Sequence, residues 1–191
     1  MDPANTVVDE VFSQLSPADE QVLVALPYRI GLYVSFADVT GGWEAQETEM
    51  KSLTSILQQF SQDFYKTEFT QKVLMDTLQA RSSWAAWSKN IDAVPAEGDA
   101  IIEVLKTLLM PDELHAFKTV LMDIAMTVAM AFRENAGQPV DKVRPLPVVR
   151  DILSRMMHLG PSVDPMDHIN ISDDEKSALR ALFAAMDYQR T

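Results

Sequence analysis

Apolar residues recur at three- and four-residue spacing along most of the chain, and that period predicts helices rather than strands. Residues 43–60 carry Met50, Leu53, Ile56, Leu57 and Phe60 on one side, with Glu47, Glu49, Lys51 and Gln58 between them. Leu114, Phe117, Leu121, Ile124, Val128 and Phe132 continue the same period, as do Leu179, Leu182, Phe183 and Met186 near the end. No stretch alternates at period two, and runs of Val, Ile, Thr and aromatic residues that would favour strands are missing. The pattern predicts an all-α fold, a single compact helical bundle of about seven helices spanning residues 1–191.

Start and stop signals set the boundaries. Ser16-Pro17-Ala18-Asp19-Glu20 opens a helix, because Ser16 can accept from free amides, Pro17 suits the first helical position and the acids face the positive dipole end. That helix should run toward Phe36 and break or kink near Ala25–Leu26, where Pro27 deletes a backbone hydrogen bond. Thr40-Gly41-Gly42 closes it. A third helix is expected over 67–88, a connection over 90–98 with Pro95 and Gly98, and further helices over 99–109 and from Pro111 to the stop at Asn135-Ala136-Gly137. A proline-rich loop at 138–147 leads to a helix over 148–159, and Ser172-Asp173-Asp174-Glu175 reads as a capping box for the last helix.

Displaced by 96 positions, the chain aligns with itself without a gap. Val24 meets Val120, Phe36 meets Phe132, Gly41 meets Gly137, Ile56 meets Ile152 and Leu57 meets Leu153. These pairs suggest a pseudo-repeat, 16–90 and 110–188, of long apolar helix, glycine turn and amphipathic helix. Two amphipathic helices produce such coincidences without a duplication, so both origins stay open.

Composition narrows the function classes. The 191 residues carry 28 acids against 16 bases, a formal charge of −12, which opposes phosphate backbones and anionic membrane surfaces. There is no cysteine, so thiol catalysis, disulfides and Cys-based metal sites are excluded. Acids stand near the N-terminus where a signal peptide would place positive charge, and no apolar run reaches the roughly 20 residues of a membrane span, so a cytoplasmic protein is expected.

Chemistry is sparsely written. His115, His158 and His168 lack the helical spacing of a zinc hydrolase, and Asp164–His168 reads as a solvated loop more readily than as a metal cluster. No nucleophile elbow or phosphate-cradling glycine loop occurs. Trp84 and Trp87, three apart, share a helix face and read as core, with a partner groove as the alternative. The acidic turn at 37–47 could gather Asp38 and Glu47 oxygens around a hard cation such as Ca²⁺ or Mg²⁺, and Asp173 and Glu175 repeat the ambiguity. The competing reading is that these acids cap turns and complement helix dipoles.

Ala37-Asp38 followed by Gly41, Gly42 and Glu47, and Ile171-Ser172-Asp173-Asp174-Glu175 ahead of an apolar helix, resemble the "Ala-Asp-Gly … Ile-Ser … Glu" turn of the tellurite-resistance TerB-like family. In this chain Val39 and Thr40 separate Asp38 from the glycines, and no Ala-Asp-Gly precedes Ile171. The resemblance implies an all-helical fold built on repeated helix pairs, with acidic turns that bind divalent cations and a place in membrane-linked stress or signalling assemblies. Its acidic positions fall on Asp38, Glu47, Asp173 and Glu175. The reading that follows is a non-enzymatic helical module that binds protein partners, with a homodimer as one form of partner, and is tuned by Ca²⁺ or Mg²⁺. The alternatives are an adaptor without a metal site and an acid–base enzyme using Asp and Glu.

Overall fold

A computed structural model of the chain describes residues 3–37, 43–62, 67–134 and 171–187. Among these there are eight α-helices and no strand: α1 Pro3–Gln14, α2 Pro17–Ser35, α3 Trp43–Ser61, α4 Glu68–Gln79, α5 Trp84–Trp87, α6 Val94–Leu105, α7 Pro111–Glu134 and α8 Asp173–Ala185. The expected all-α bundle is therefore present. The stop at 135–137, the loop at 138–147 and the helix over 148–159 lie outside the described residues, as do Ile152 and Leu153 of the repeat.

The centre of the bundle is α2. Every residue from Leu26 to Leu32 is buried, as are Leu23, Ala25, Val34 and Ser35, so this helix shows no polar face over its middle turns. A helix apolar all round must be enclosed, and α2 packs against α3, α4, α5, α6, α7 and α8. One continuous core results, with Tyr28, Phe60, Phe69 and Phe117 among its largest fully buried side chains. Phe69 joins α1 to α7, its ring centroid 5.9 Å from that of Phe12 and 5.4 Å from that of Phe117.

Sequence signals place several ends correctly. Ser16 caps α2, its Oγ accepting from the Asp19 amide at 3.1 Å, and Thr67 caps α4 by accepting from Thr70 at 3.2 Å. Of the kink or break expected near Ala25–Leu26, the break does not occur, and α2 runs through Pro27. Proline disturbs the carbonyls one turn before it, and Thr77 of α4 donates to one of them, Val24 O, at 2.7 Å. Its hydroxyl is shared with its own Val73 carbonyl at 2.8 Å. A neighbouring helix thus adds a donor within the turn that Pro27 disturbs.

Two further boundaries differ from expectation. The helix expected over 67–88 stops at Gln79, because the Trp84 indole N–H donates to the Thr77 carbonyl at 3.0 Å, a group that continued helix would have used. A 3₁₀ turn, Arg81–Ser83, then leads into the single turn of α5. The connection expected over 90–98 contracts, since Pro95 lies in the first turn of α6 and Gly98 within that helix. Proline is tolerated there because first-turn amides have no intrahelical acceptor. A Cβ on Gly98 would sit 3.4 Å from Cε of Met186, which fixes how closely α6 meets the end of α8.

Arg29 is the one charged residue in the enclosed part of α2. Its guanidinium makes five hydrogen bonds. Nε and Nη2 donate to the two Glu97 oxygens at 2.9 and 3.1 Å, Nη1 donates to the carbonyls of Trp87 and Lys89 (2.9 Å for the latter), and Nη2 donates to Asn90 O at 3.0 Å. All five N–H groups of the fork are therefore used. Asn90 is left-handed, with φ of 52°, a conformation asparagine adopts more readily than most residues. The segment that follows α5 is thereby tied to the central helix and, through Glu97, to α6. Tyr28, next along the helix, stacks on Trp84 at 4.3 Å. Its hydroxyl, the one buried side-chain polar atom without a hydrogen-bond partner among the described residues, lies near Ser88, whose own proton goes to Trp84 O.

These contacts generate two stability predictions, each read by urea denaturation. Glu97 is a third exposed, so Glu97→Gln should cost no more than about 1 kcal/mol. Arg29→Met instead strips the donors from three backbone carbonyls and should cost about 3 kcal/mol or more; equal losses for the two variants would mean that the ion pair, not the carbonyl contacts, dominates. Gly31 sits where α2 meets α3, and a methyl there would overlap Cδ1 of the buried Leu53. Gly31→Ala should therefore lose about 1 kcal/mol net, overpacking outweighing the gain in helix propensity, and combining it with Leu53→Val should cost less than the two losses added.

Candidate functional site

Three segments converge on a cleft of about 310 Å³ lined by Tyr33, Phe36, Ala37, Ile91, Asp92, Asp174, Ser177 and Ala178. Tyr33 in the last turn of α2 and Phe36 at its C-cap, still in right-handed helical conformation, are three apart and hence on one face. Both are half-buried. Helix α2 ends in a turn in which the amide of Phe36 donates to Leu32 O and that of Ala37 to Val34 O, and no basic residue lies in its last turn. The carbonyl end of the helix macrodipole therefore faces this region without a built-in cation.

The second wall is the 3₁₀ turn Ile91–Ala93. Its position follows from Arg29: once the Asn90 carbonyl is held by the guanidinium, Ile91 turns half inward and Asp92 stays exposed. Burial, with the charge of Asp92 as the smaller cause, pushes the Tyr33 hydroxyl above the usual tyrosine range, so the phenol stays neutral near pH 7.

The third wall is the first turn of α8, held by the capping box predicted from sequence. Glu175 N–H donates to Ser172 Oγ at 3.1 Å and Ser172 N–H donates to Glu175 Oε2 at 2.7 Å. With the cap in place, Asp174 and Ser177 are exposed and Ala178 is buried. Ser177, which also lines the cleft, donates its proton to Asp173 O at 2.8 Å, so toward any further group its oxygen can only accept.

The residues singled out from sequence fall into different places. Glu175 is buried at 2% exposure with its carboxylate in the cap, whereas Asp173 is fully exposed and lies 3.6 Å from Lys176 Nζ. The two carboxylates thus occupy opposite environments. Asp38 lies outside the described residues, and Glu47 belongs to α3 but its side chain lies outside them. Ala37, immediately before Asp38, does reach the same cleft as Asp174, so the end of the first acidic turn's helix and the start of the second acidic turn are neighbours. Among the described residues no three His, Cys, Asp or Glu side chains are grouped to hold a metal ion. His115 is exposed on α7, and His158 and His168 lie outside the described residues. Trp84 and Trp87 are core, as their spacing suggested.

Sequence reasoning did not single out Tyr33, Phe36 or Asp92. Their spacing looks like ordinary amphipathic helix and loop, and only the packing of α8 beside α2 makes them a site.

Comparison of the chain with protein-family models, with curated proteins and with solved structures finds no match. No helix among the described residues is long and apolar enough to cross a membrane.

The capping geometry separates two roles for Glu175. Glu175→Ala should lower stability by about 1 kcal/mol or more through loss of the cap, and by the same amount in EDTA as in millimolar Ca²⁺ or Mg²⁺. Thermal melts would show it; a loss that grows when metal is present would make Glu175 a ligand.

Proposed function

We propose that this protein is a helical binding module that holds a positively charged segment of a protein partner in the cleft between the end of α2 and the start of α8. The observation that carries the reading is the composition of the cleft: Asp92 and Asp174 flank an aromatic floor, and no Lys, Arg or His is among its described lining residues. Three sources of negative potential coincide there, namely two carboxylates from different elements and the carbonyl end of α2. The chain's charge of −12 extends the same sign over the surface and would steer a basic partner toward it.

This is the partner-binding role expected from the TerB-like resemblance, with its location moved from the acidic turns to the cleft beside them. A divalent cation at Asp38, Glu47, Asp173 and Glu175 draws no support from the described residues, because Glu175 is committed to its cap. Acid–base catalysis draws none either: Asp92 and Asp174 are exposed, and the cleft provides no water-excluding enclosure around them.

Exposed ion pairs are weak individually, so the affinity should be modest and fall with salt. In fluorescence anisotropy, a basic peptide of mixed Arg and Lys should bind and an acidic peptide of equal length should not. Asp92→Asn with Asp174→Asn should weaken binding about three- to thirtyfold, the worth of two exposed ion pairs. No binding, or binding unchanged in the double variant, would overturn the reading.

A further inference from the structure

We infer that the cleft recognises the side chain of arginine, in preference to lysine, on the partner segment. The inference rests on the cation-binding reading above and adds the identity of the cationic group.

Shape and chemistry both select a flat, delocalised cation. Tyr33 and Phe36 present two rings from one helix face, and an aromatic surface attracts a cation through its quadrupole. A guanidinium is planar, weakly hydrated and stacks on such rings, whereas an ammonium is a compact, strongly hydrated point charge. The acceptors are also dispersed. Asp92 comes from the turn after α5, Asp174 from the first turn of α8, and the Ser177 oxygen, whose proton is committed to Asp173 O, from one turn further along. A rigid fork with five N–H donors can serve carboxylates on separate elements while its face rests on a ring. Three donors on a single nitrogen can do so only by leaving the aromatic surface.

The rest of the cleft is consistent with a single long side chain. Ile91 and Ala178 supply apolar surface for the methylene stem of an arginine. A volume of about 310 Å³ stands at the small end of ligand pockets, too small for a helix and large enough for one side chain.

The capacity of a guanidinium to serve dispersed acceptors is seen in the same molecule, where Arg29 meets a carboxylate and three carbonyls from separate turns at once.

The test compares two peptides of identical length and charge, one carrying only arginine and one only lysine, by fluorescence anisotropy against the full chain. The arginine peptide should bind about two- to fivefold more tightly, the range expected of one exposed cation–π contact. Tyr33→Leu and, separately, Phe36→Leu should each reduce that preference toward unity while the lysine peptide binds nearly as before; circular dichroism confirms that each variant keeps its helices. Equal affinity for the two peptides, or a preference untouched in both variants, overturns the arginine assignment and leaves the cation-binding reading standing. Failure of both peptides to bind overturns both.

Discussion

A guanidinium enclosed by apolar helices must find an acceptor for each of its N–H groups, because a buried charge without partners would destabilise the fold by several kcal/mol. Arg29 meets that demand by drawing the chain around itself. Three of its acceptors are the carbonyls of Trp87, Lys89 and Asn90, which belong to the end of a single helical turn and the residues after it. Such a short helix leaves its carbonyls without helical donors, so the needs of arginine and backbone are complementary. The segment from α5 to α6 has little regular structure of its own, and its path is set largely by this one side chain.

The consequence for the cleft is direct. Asn90 enters its left-handed conformation with its carbonyl held by Arg29, and the next two residues become a wall of the cleft. On the opposite wall, the cap of α8 fixes Asp174 by committing Glu175. Two buried ionic groups, Arg29 and Glu175, therefore position two exposed acids. Neither buried group lines the cleft itself, which separates the residues that build the surface from those that would meet a partner.

The two levels were legible to different degrees. Caps at Ser16 and Ser172 and the periodic faces around Leu53, Phe117 and Leu179 could be read directly, since each depends on residues within a turn or two. The end of α4 and the start of α6 could not. Helix α4 stops because an indole seven residues away takes the Thr77 carbonyl, and the turn of α2 before Pro27 takes a donor that comes from 53 residues further along the chain. Local propensity has no access to a partner supplied by tertiary packing. Arg29 did leave a trace, being the only charged residue between Glu20 and Asp38, and a lone charge in an apolar run implies a buried acceptor set. What no pattern could supply was which carbonyls would form it.

The acids show the same division most clearly. Asp173, Asp174 and Glu175 are consecutive and equivalent as sequence, yet one pairs with Lys176 in solvent, one faces the cleft and one is buried in the cap. Successive helical positions point about 100° apart, so a run of like charges at a helix start is distributed among three environments by geometry alone. A functional carboxylate in such a run is distinguished by what the neighbouring helix places opposite it. Here that neighbour is the last turn of α2, with Tyr33 and Phe36 on the facing side, and it singles out Asp174.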